Sequence, residues 1–202
     1  MLVVIDDPEV VEADLAAGRI ACPGCGGPLR RWGFASEREV RTLSGLSKLR
    51  RRRAICPRSG MTHVLEPASA VPRLRDAAEV IGAAWSAKVA GAGHRRIAAD
   101  LGRSASTVRR WLRRLRDGAD ALRSVATIRL YQLDPLAGRI EPSGSALGDA
   151  LEAVGQAARA EVLRFGPRAP WPAVVALTGG LIASGGFSTR RAGVKGAPQG
   201  VP

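Results

Sequence analysis

The stretch His94-Arg95-Arg96-Ile97-Ala98-Ala99-Asp100-Leu101-Gly102-Arg103-Ser104-Ala105-Ser106-Thr107-Val108-Arg109-Arg110-Trp111-Leu112 constrains the fold more than any other part of the chain. A helix running to Leu101 meets Gly102, the residue type that most readily takes the left-handed conformation closing a helix. Ser104 stands where a hydroxyl can cap the next helix by accepting a backbone N–H two or three residues on. Val108, Trp111, Leu112 and Leu115 then recur at i, i+3, i+4 and i+7 as one apolar stripe. Ile97, Ala98 and Leu101 supply the facing stripe, with Ala98 small where two helices cross closely. An upstream helix over about residues 73–89 offers Leu74, Ala77, Ala78, Ile81 and Trp85 to complete a three-helix core. This is the pattern of a helix-turn-helix.

Burying that stripe leaves Ser106, Thr107, Arg109, Arg110, Arg113 and Arg114 on the other faces of the second helix, with Arg103 in the turn before it. Such a helix can lie in the major groove of duplex DNA, where arginine bonds guanine O6 and N7 together. Arg109, Arg110 and Arg113 project from the region expected to enter the groove; which of them reads a base depends on the helix tilt, which the pattern does not encode. Arg95 and Arg96 open the preceding helix, a place from which side chains meet phosphates. The plainer alternative is a helical hairpin with a solvated arginine face; the glycine turn, serine cap, small alanine and arginine face together favour DNA. His94 reads as a surface or capping residue.

Charge agrees with a polyanionic partner. The 202 residues carry 31 Lys+Arg against 18 Asp+Glu, a formal net charge of +13, and lysine occurs only at Lys48, Lys88 and Lys195. Arginine richness also follows from a GC-rich genome, so charge supports this partner without proving it. At 46% hydrophobic residues the chain is expected to fold. The longest apolar stretch, residues 173–187, is interrupted by Thr178, Ser184 and glycines and is too short to span a bilayer. No signal-peptide pattern follows Met1, so a cytoplasmic location is expected, without membrane association. No small-molecule substrate is evident.

The expected fold class is mostly α with a small N-terminal β domain resembling a zinc ribbon, then a three-helix helix-turn-helix domain and C-terminal helices. Residues 1–70 hold a strand at Leu2–Ile5, an acidic helix from Pro8 with Val10, Val11 and Leu15 on one side, and short β runs around Glu39–Leu43 and Thr62–Leu65. Residues 73–125 read as helical. Residues 126–187 hold further helices, chiefly Ser145–Phe165, with Leu147, Leu151, Val154, Ala158, Val162 and Phe165 at helical spacing, and Ala173–Ala183. The Gly- and Pro-rich residues 188–202 read as a disordered tail.

Three cysteines, an odd number, argue against a disulfide framework. Cys22-Pro-Gly-Cys25-Gly-Gly is a knuckle that sets two thiolates on a tight turn. Cys56-Pro-Arg-Ser59-Gly60 repeats the frame, with Ser59 where a fourth cysteine would stand. A neutral hydroxyl is a poor zinc ligand, and His63 follows soon after, so the expected cofactor is a structural Zn2+ on Cys22, Cys25, Cys56 and His63. The alternative is a degenerate ribbon that keeps the fold and lacks the metal. Between the knuckles, Lys48-Leu49-Arg50-Arg51-Arg52-Arg53 can offer one face of a strand to phosphates, with Arg51 and Arg52 the candidates, or serve as a charged edge.

Together the knuckles, the segments Leu29-Arg-Arg-Trp32-Gly33 and Thr62-His63-Val64-Leu65, and Gly93-His94-Arg95-Arg96-Ile97-Ala98 resemble an uncharacterised actinobacterial family. That family joins an N-terminal zinc-ribbon-like domain to a homeodomain-like helix-turn-helix related to transposase DNA-binding regions. The resemblance covers about residues 1–116. It implies DNA binding and mobile-element ancestry. Members usually carry cysteine at the position of Ser59, which bears on metal binding and not on the fold.

Three functions are in view. The leading one is a sequence-specific DNA-binding protein, a regulator or a transposase-derived recognition protein. A second is a protein-interaction module with degenerate DNA binding, in which the C-terminal helices serve self-association as a homodimer or simply pack on the rest. The third is a transposase or recombinase. Asp134, Glu141, Asp149, Glu152 and Glu161 are scattered over helices and loops, without the converging carboxylates that two-metal strand transfer needs, so an enzyme is not expected.

Overall fold

The computed structural model describes residues 1–180. The expected tail after residue 188, and the end of the expected helix at residue 183, lie outside the described residues. Leu2–Val4 forms strand β1, and Asp7 then caps helix α1 (Pro8–Ala16) by accepting the N–H groups of Glu9 and Val10. Proline at the first turn forfeits no helical bond, and Gly18 at φ 69° leaves the helix at its end. Val11 and Leu15 are buried, whereas Val10, expected beside them, faces solvent.

Strands β2 (Arg30–Phe34), β3 (Arg38–Arg41), β4 (Leu46–Leu49), β5 (Arg52–Ile55) and β6 (Thr62–Pro67) follow. They make a four-stranded sheet in the order β1-β6-β5-β2 and a separate β3–β4 hairpin. Strand β1 runs parallel to β6, and the other pairs are antiparallel. Gly33, at φ 88°, sits at the register shift between Arg31 and Phe34, as a bulge requires. Under this sheet Val11, Leu15, Cys22, Leu29, Ala54, Cys56 and Leu65 form one small core.

A second, larger core runs through helices α2 (Ala78–Val89), α3 (His94–Asp100), α4 (Ala105–Asp117), α5 (Ala119–Leu133), α6 (Ala146–Phe165) and α7 (Pro170–Leu177). Val40 and Leu49 bring the β3–β4 hairpin into this core, although the hairpin lies within the cysteine-bearing half of the sequence. The fold is therefore mostly α with a small N-terminal β region, as expected.

Three details differ from expectation. The first helix of the trio starts at Ala78 and not near Arg73. Arg73 takes a left-handed φ of 65°, and Asp76 and Ala77 are engaged by the hairpin, where Ala77 N–H donates to Arg41 O at 2.9 Å. Helix α6 buries Ala150, Ala153, Val154, Ala157, Ala158 and Ala160, while Leu147 and Leu151 are only half-buried and Phe165 is 54% exposed. Its small-residue face permits close approach to neighbouring helices, so the widest side chains are not the deepest. Helix α7 ends at Leu177, where Gly179 and Gly180 adopt φ of 58° and 80°.

Helix α7 closes the core at Gly82. Trp171 lies so close that a Cβ at Gly82 would meet the indole at 2.0 Å, which only glycine avoids. The indole of Trp85, 6.1 Å from that of Trp171, donates Nε1–H to Leu147 O at 3.1 Å and so ties α2 to α6.

Candidate nucleic-acid interface and metal centre

The tight turn forms as its residues dictate. Gly102 adopts φ 60°, and Ser104 Oγ accepts the N–H of Thr107 at 3.3 Å, capping α4. Val108, Trp111, Leu112 and Leu115 are buried against Ile97 and Ala98 of α3 and against α2. With Trp111 only 1% exposed, the orientation of α4 is fixed by its largest side chain.

The remaining faces of α4 are cationic and polar. Ser106, Arg109, Arg110, Arg113 and Arg116 are exposed, and Thr107 and Arg114 are half-exposed. Among the described residues, the side chains of Arg109, Arg110, Arg113 and Arg116 make no hydrogen bond or ion pair. On α3, Arg95 is exposed and Arg96 stands 3.8 Å from Asp100, one turn on. These side chains form a continuous basic face.

Arg103 belongs elsewhere. Its Nε donates to Asp76 Oδ1 at 2.6 Å, while its Nη groups meet the carbonyls of Leu101, Gly102 and Thr42. Its guanidinium is spent on holding the turn against the β3–β4 hairpin. Arg51 and Arg52 are likewise turned inward. Arg51 Nη1 donates to the fully buried Glu66 at 3.2 Å, and Arg38 pairs with the same carboxylate. Arg52 Nε lies 2.8 Å from Glu12 on α1, and its guanidinium stacks on the Phe34 ring at 4.5 Å. The sequence run of arginines gave no sign of these partners, since Glu12 and Glu66 are distant in the chain. Burial of Arg38 lowers its pKa, against the opposing pull of Glu66.

The two knuckles are built alike. Cys22 N–H donates to Gly27 O, and Gly26 N–H to Cys22 O, both at 2.8 Å, with Gly26 at φ 70°. In the second, Cys56 N–H donates to Met61 O and Gly60 N–H to Cys56 O, with Gly60 at φ 68°. The correspondence places Ser59 opposite Cys25. The three sulfurs lie within 4.8 Å of one another, and Cys25 and Cys56 are 3.4 Å apart. Tetrahedral zinc with bonds of about 2.3 Å sets its sulfurs about 3.8 Å apart, so this donor set fits a metal ion.

Ser59 Oγ is 3.8 Å from Cys22 Sγ. His63 is buried and its Nε2 lies 3.6 Å from Cys22 Sγ, but it does not share the mutual spacing of the three sulfurs. Ser59 Oγ and His63 Nε2 thus both lie beside the Cys22 sulfur, next to the three-cysteine cluster. The Cys56 thiol is lowered to about 6, first by the Ser59 hydroxyl and then by backbone N–H groups, against burial. Cys22 is also lowered, chiefly by the Gly24 N–H. For Cys25 the Gly27 N–H pulls downward, but Cys56, burial and Cys22 together raise it. Burial lowers the His63 pKa below its usual value.

Residues 72–123 match the family described as a homeodomain-like domain. No curated protein and no solved structure matches the chain. The match spans α2, α3 and α4 and reaches into α5. A homeodomain-like helix-turn-helix domain suggests DNA binding. Among the described residues no helix is long and apolar enough to cross a membrane.

Proposed function

We propose that the chain is a sequence-specific duplex-DNA-binding protein, either a regulator or a recognition protein of transposase descent, and not an enzyme. One observation carries the reading: the face of α4 opposite its buried stripe holds arginines and Ser106, exposed, on a helix whose orientation is locked by Trp111. A helix of this kind enters the major groove with its N-terminal half against base edges. The acidic residues of the C-terminal helices support a non-catalytic role, because they are occupied in structural contacts. Asp149 accepts from Ser143 and faces Arg123, and Glu161 pairs with Arg129 and Arg168. Zinc on Cys22, Cys25 and Cys56 would be structural, holding the two knuckles together.

The test is selection of bound fragments from random duplex, followed by affinity measurement over a range of salt. A selected motif, with affinity falling steeply as salt rises, is the expected result. No measurable duplex binding at low salt would leave the protein-interaction reading in its place.

A further inference from the structure

One side of the basic face is concave. Lys88 from the last turn of α2, His94 from the start of α3, and Arg109, Arg113 and Arg116 from α4 line a single cleft of about 260 Å³. Its apolar lining comes from Leu112 and from Leu147 of α6. The three arginines recur at i, i+4 and i+7, so they stack along one flank of α4. No carboxylate lines the cleft, and the arginines have no protein partner among the described residues. Lys88 Nζ makes one bond, to Ala92 O at 3.4 Å, which leaves donors to spare.

We infer that this cleft is a phosphate-binding site that seats one phosphodiester of the DNA bound by α4, so that the arginines of α4 divide between clamping the backbone and reading bases. The inference rests on the DNA-binding reading above. Five cationic or N–H-donating side chains converging on a pocket of this size suit a compact tetrahedral anion, and guanidinium forks bond two of its oxygens at once. A base edge in the major groove is a flat target reached from a protruding surface. Ser106 and Arg110, on the outward face away from the cleft, meet that requirement. Arg109, one of the three expected to enter the groove, is thereby assigned to the backbone, and Arg113 lies at the border of the two faces.

The same chemistry would accept a free phosphate ester, so the experiment has two arms on the full chain. In the first, Lys88→Ala, Arg116→Ala and Arg110→Ala are compared on the selected duplex and on random duplex across a salt series, after circular dichroism shows each to be folded. Lys88→Ala and Arg116→Ala are expected to weaken both duplexes by the same factor, about 3- to 10-fold, and to reduce the salt slope by about 0.9 each. Arg110→Ala is expected to weaken only the selected duplex. In the second arm, inorganic phosphate is titrated while the side-chain resonances of His94 and the arginines are followed. Saturable shifts that vanish in Arg116→Ala are expected.

If wild type binds duplex steeply with salt while Lys88→Ala and Arg116→Ala match it in affinity and slope, the cleft does not hold a DNA phosphate and the inference is overturned, though DNA binding stands. If wild type binds no duplex, the DNA-binding reading fails on its own. Phosphate shifts in the cleft would then support the phosphate site with a free ester as its source, and their absence would overturn it.

Discussion

Arg103 and Asp76 meet at 2.6 Å, with side chains only 13% and 3% exposed, and the other oxygen of the same carboxylate takes Arg41 at 2.6 Å. One buried acid thus joins the turn of the helix-turn-helix to strand β3 of the hairpin. A buried carboxylate is sustained only by such partners, and removing it strands the cations that faced it.

Asp76→Ala is therefore expected to destabilise the protein by about 3–5 kcal/mol, the cost of breaking a buried pair from one side. Urea unfolding followed by tryptophan fluorescence measures it. A loss below about 1 kcal/mol would mean that water replaces the carboxylate and that the hairpin is held by Val40 and Leu49 instead.

Arg51→Ala acts on the fold before it acts on DNA. Its bond to the fully buried Glu66 predicts a stability loss of about 1.5–3 kcal/mol, as for a hydrogen bond to a charged group. Affinity for duplex at temperatures where the variant remains folded is expected to change little. A normal melting temperature combined with weakened DNA binding would return Arg51 to the phosphate-contacting surface.

At the knuckles, Ser59→Cys completes a four-thiolate set and is expected to raise zinc affinity, read by competition with a chromophoric chelator. Cys56→Ser should abolish stoichiometric zinc. His63→Ala should retain one zinc per chain with affinity lowered about 10-fold, the effect of losing a partner that orients a ligand. Complete loss of zinc in His63→Ala, with no gain in Ser59→Cys, would put histidine in the fourth corner.

Acid should loosen the start of α6. The Asp149 carboxyl is held below its usual value of 3.8, first by the Ser143 N–H at 2.6 Å and then by the Ser143 hydroxyl, with Arg123 adding to the effect and burial opposing it. A folded pKa below the unfolded one stabilises the fold fully above the unfolded value, and the benefit disappears as pH falls through the folded value. The melting temperature of Asp149→Asn should lie below that of wild type at pH 7, and the gap should close below pH 3.8. A gap independent of pH would assign the contact no ionic component.

What the sequence reveals is what short-range geometry decides. Gly102, Ser104 and the stripe Val108–Leu115 act within two turns of one another, so the helix-turn-helix is legible directly, and the paired knuckles repeat a frame visible in the letters. Distant partners are not legible. Arg51, Arg52 and Arg103 read as free charges because Glu66, Glu12 and Asp76 lie far off in the chain, and the arginines' inward orientation follows only from the pairing of β5 with β2 and β6, the packing of α1 on β2 and the contact of the hairpin with the turn. Helix α6 misleads for another reason: leucine and phenylalanine mark a stripe by size, whereas close helix packing selects alanine. The cleft beside α4 also escapes sequence reading, since Lys88 and His94 reach it from two other helices.

Trp171 seated on Gly82 has a consequence for how the protein is made. A ribosome releases α2, α3 and α4 well before α7 emerges, and structure forms as segments appear. Until the last described helix arrives, the nascent helix-turn-helix carries an open apolar notch at Gly82, with the indole of Trp85 beside it. A chain that stopped before Trp171 would keep that notch uncovered. A chain that extends through Trp171 covers it, so completion of this core waits for α7.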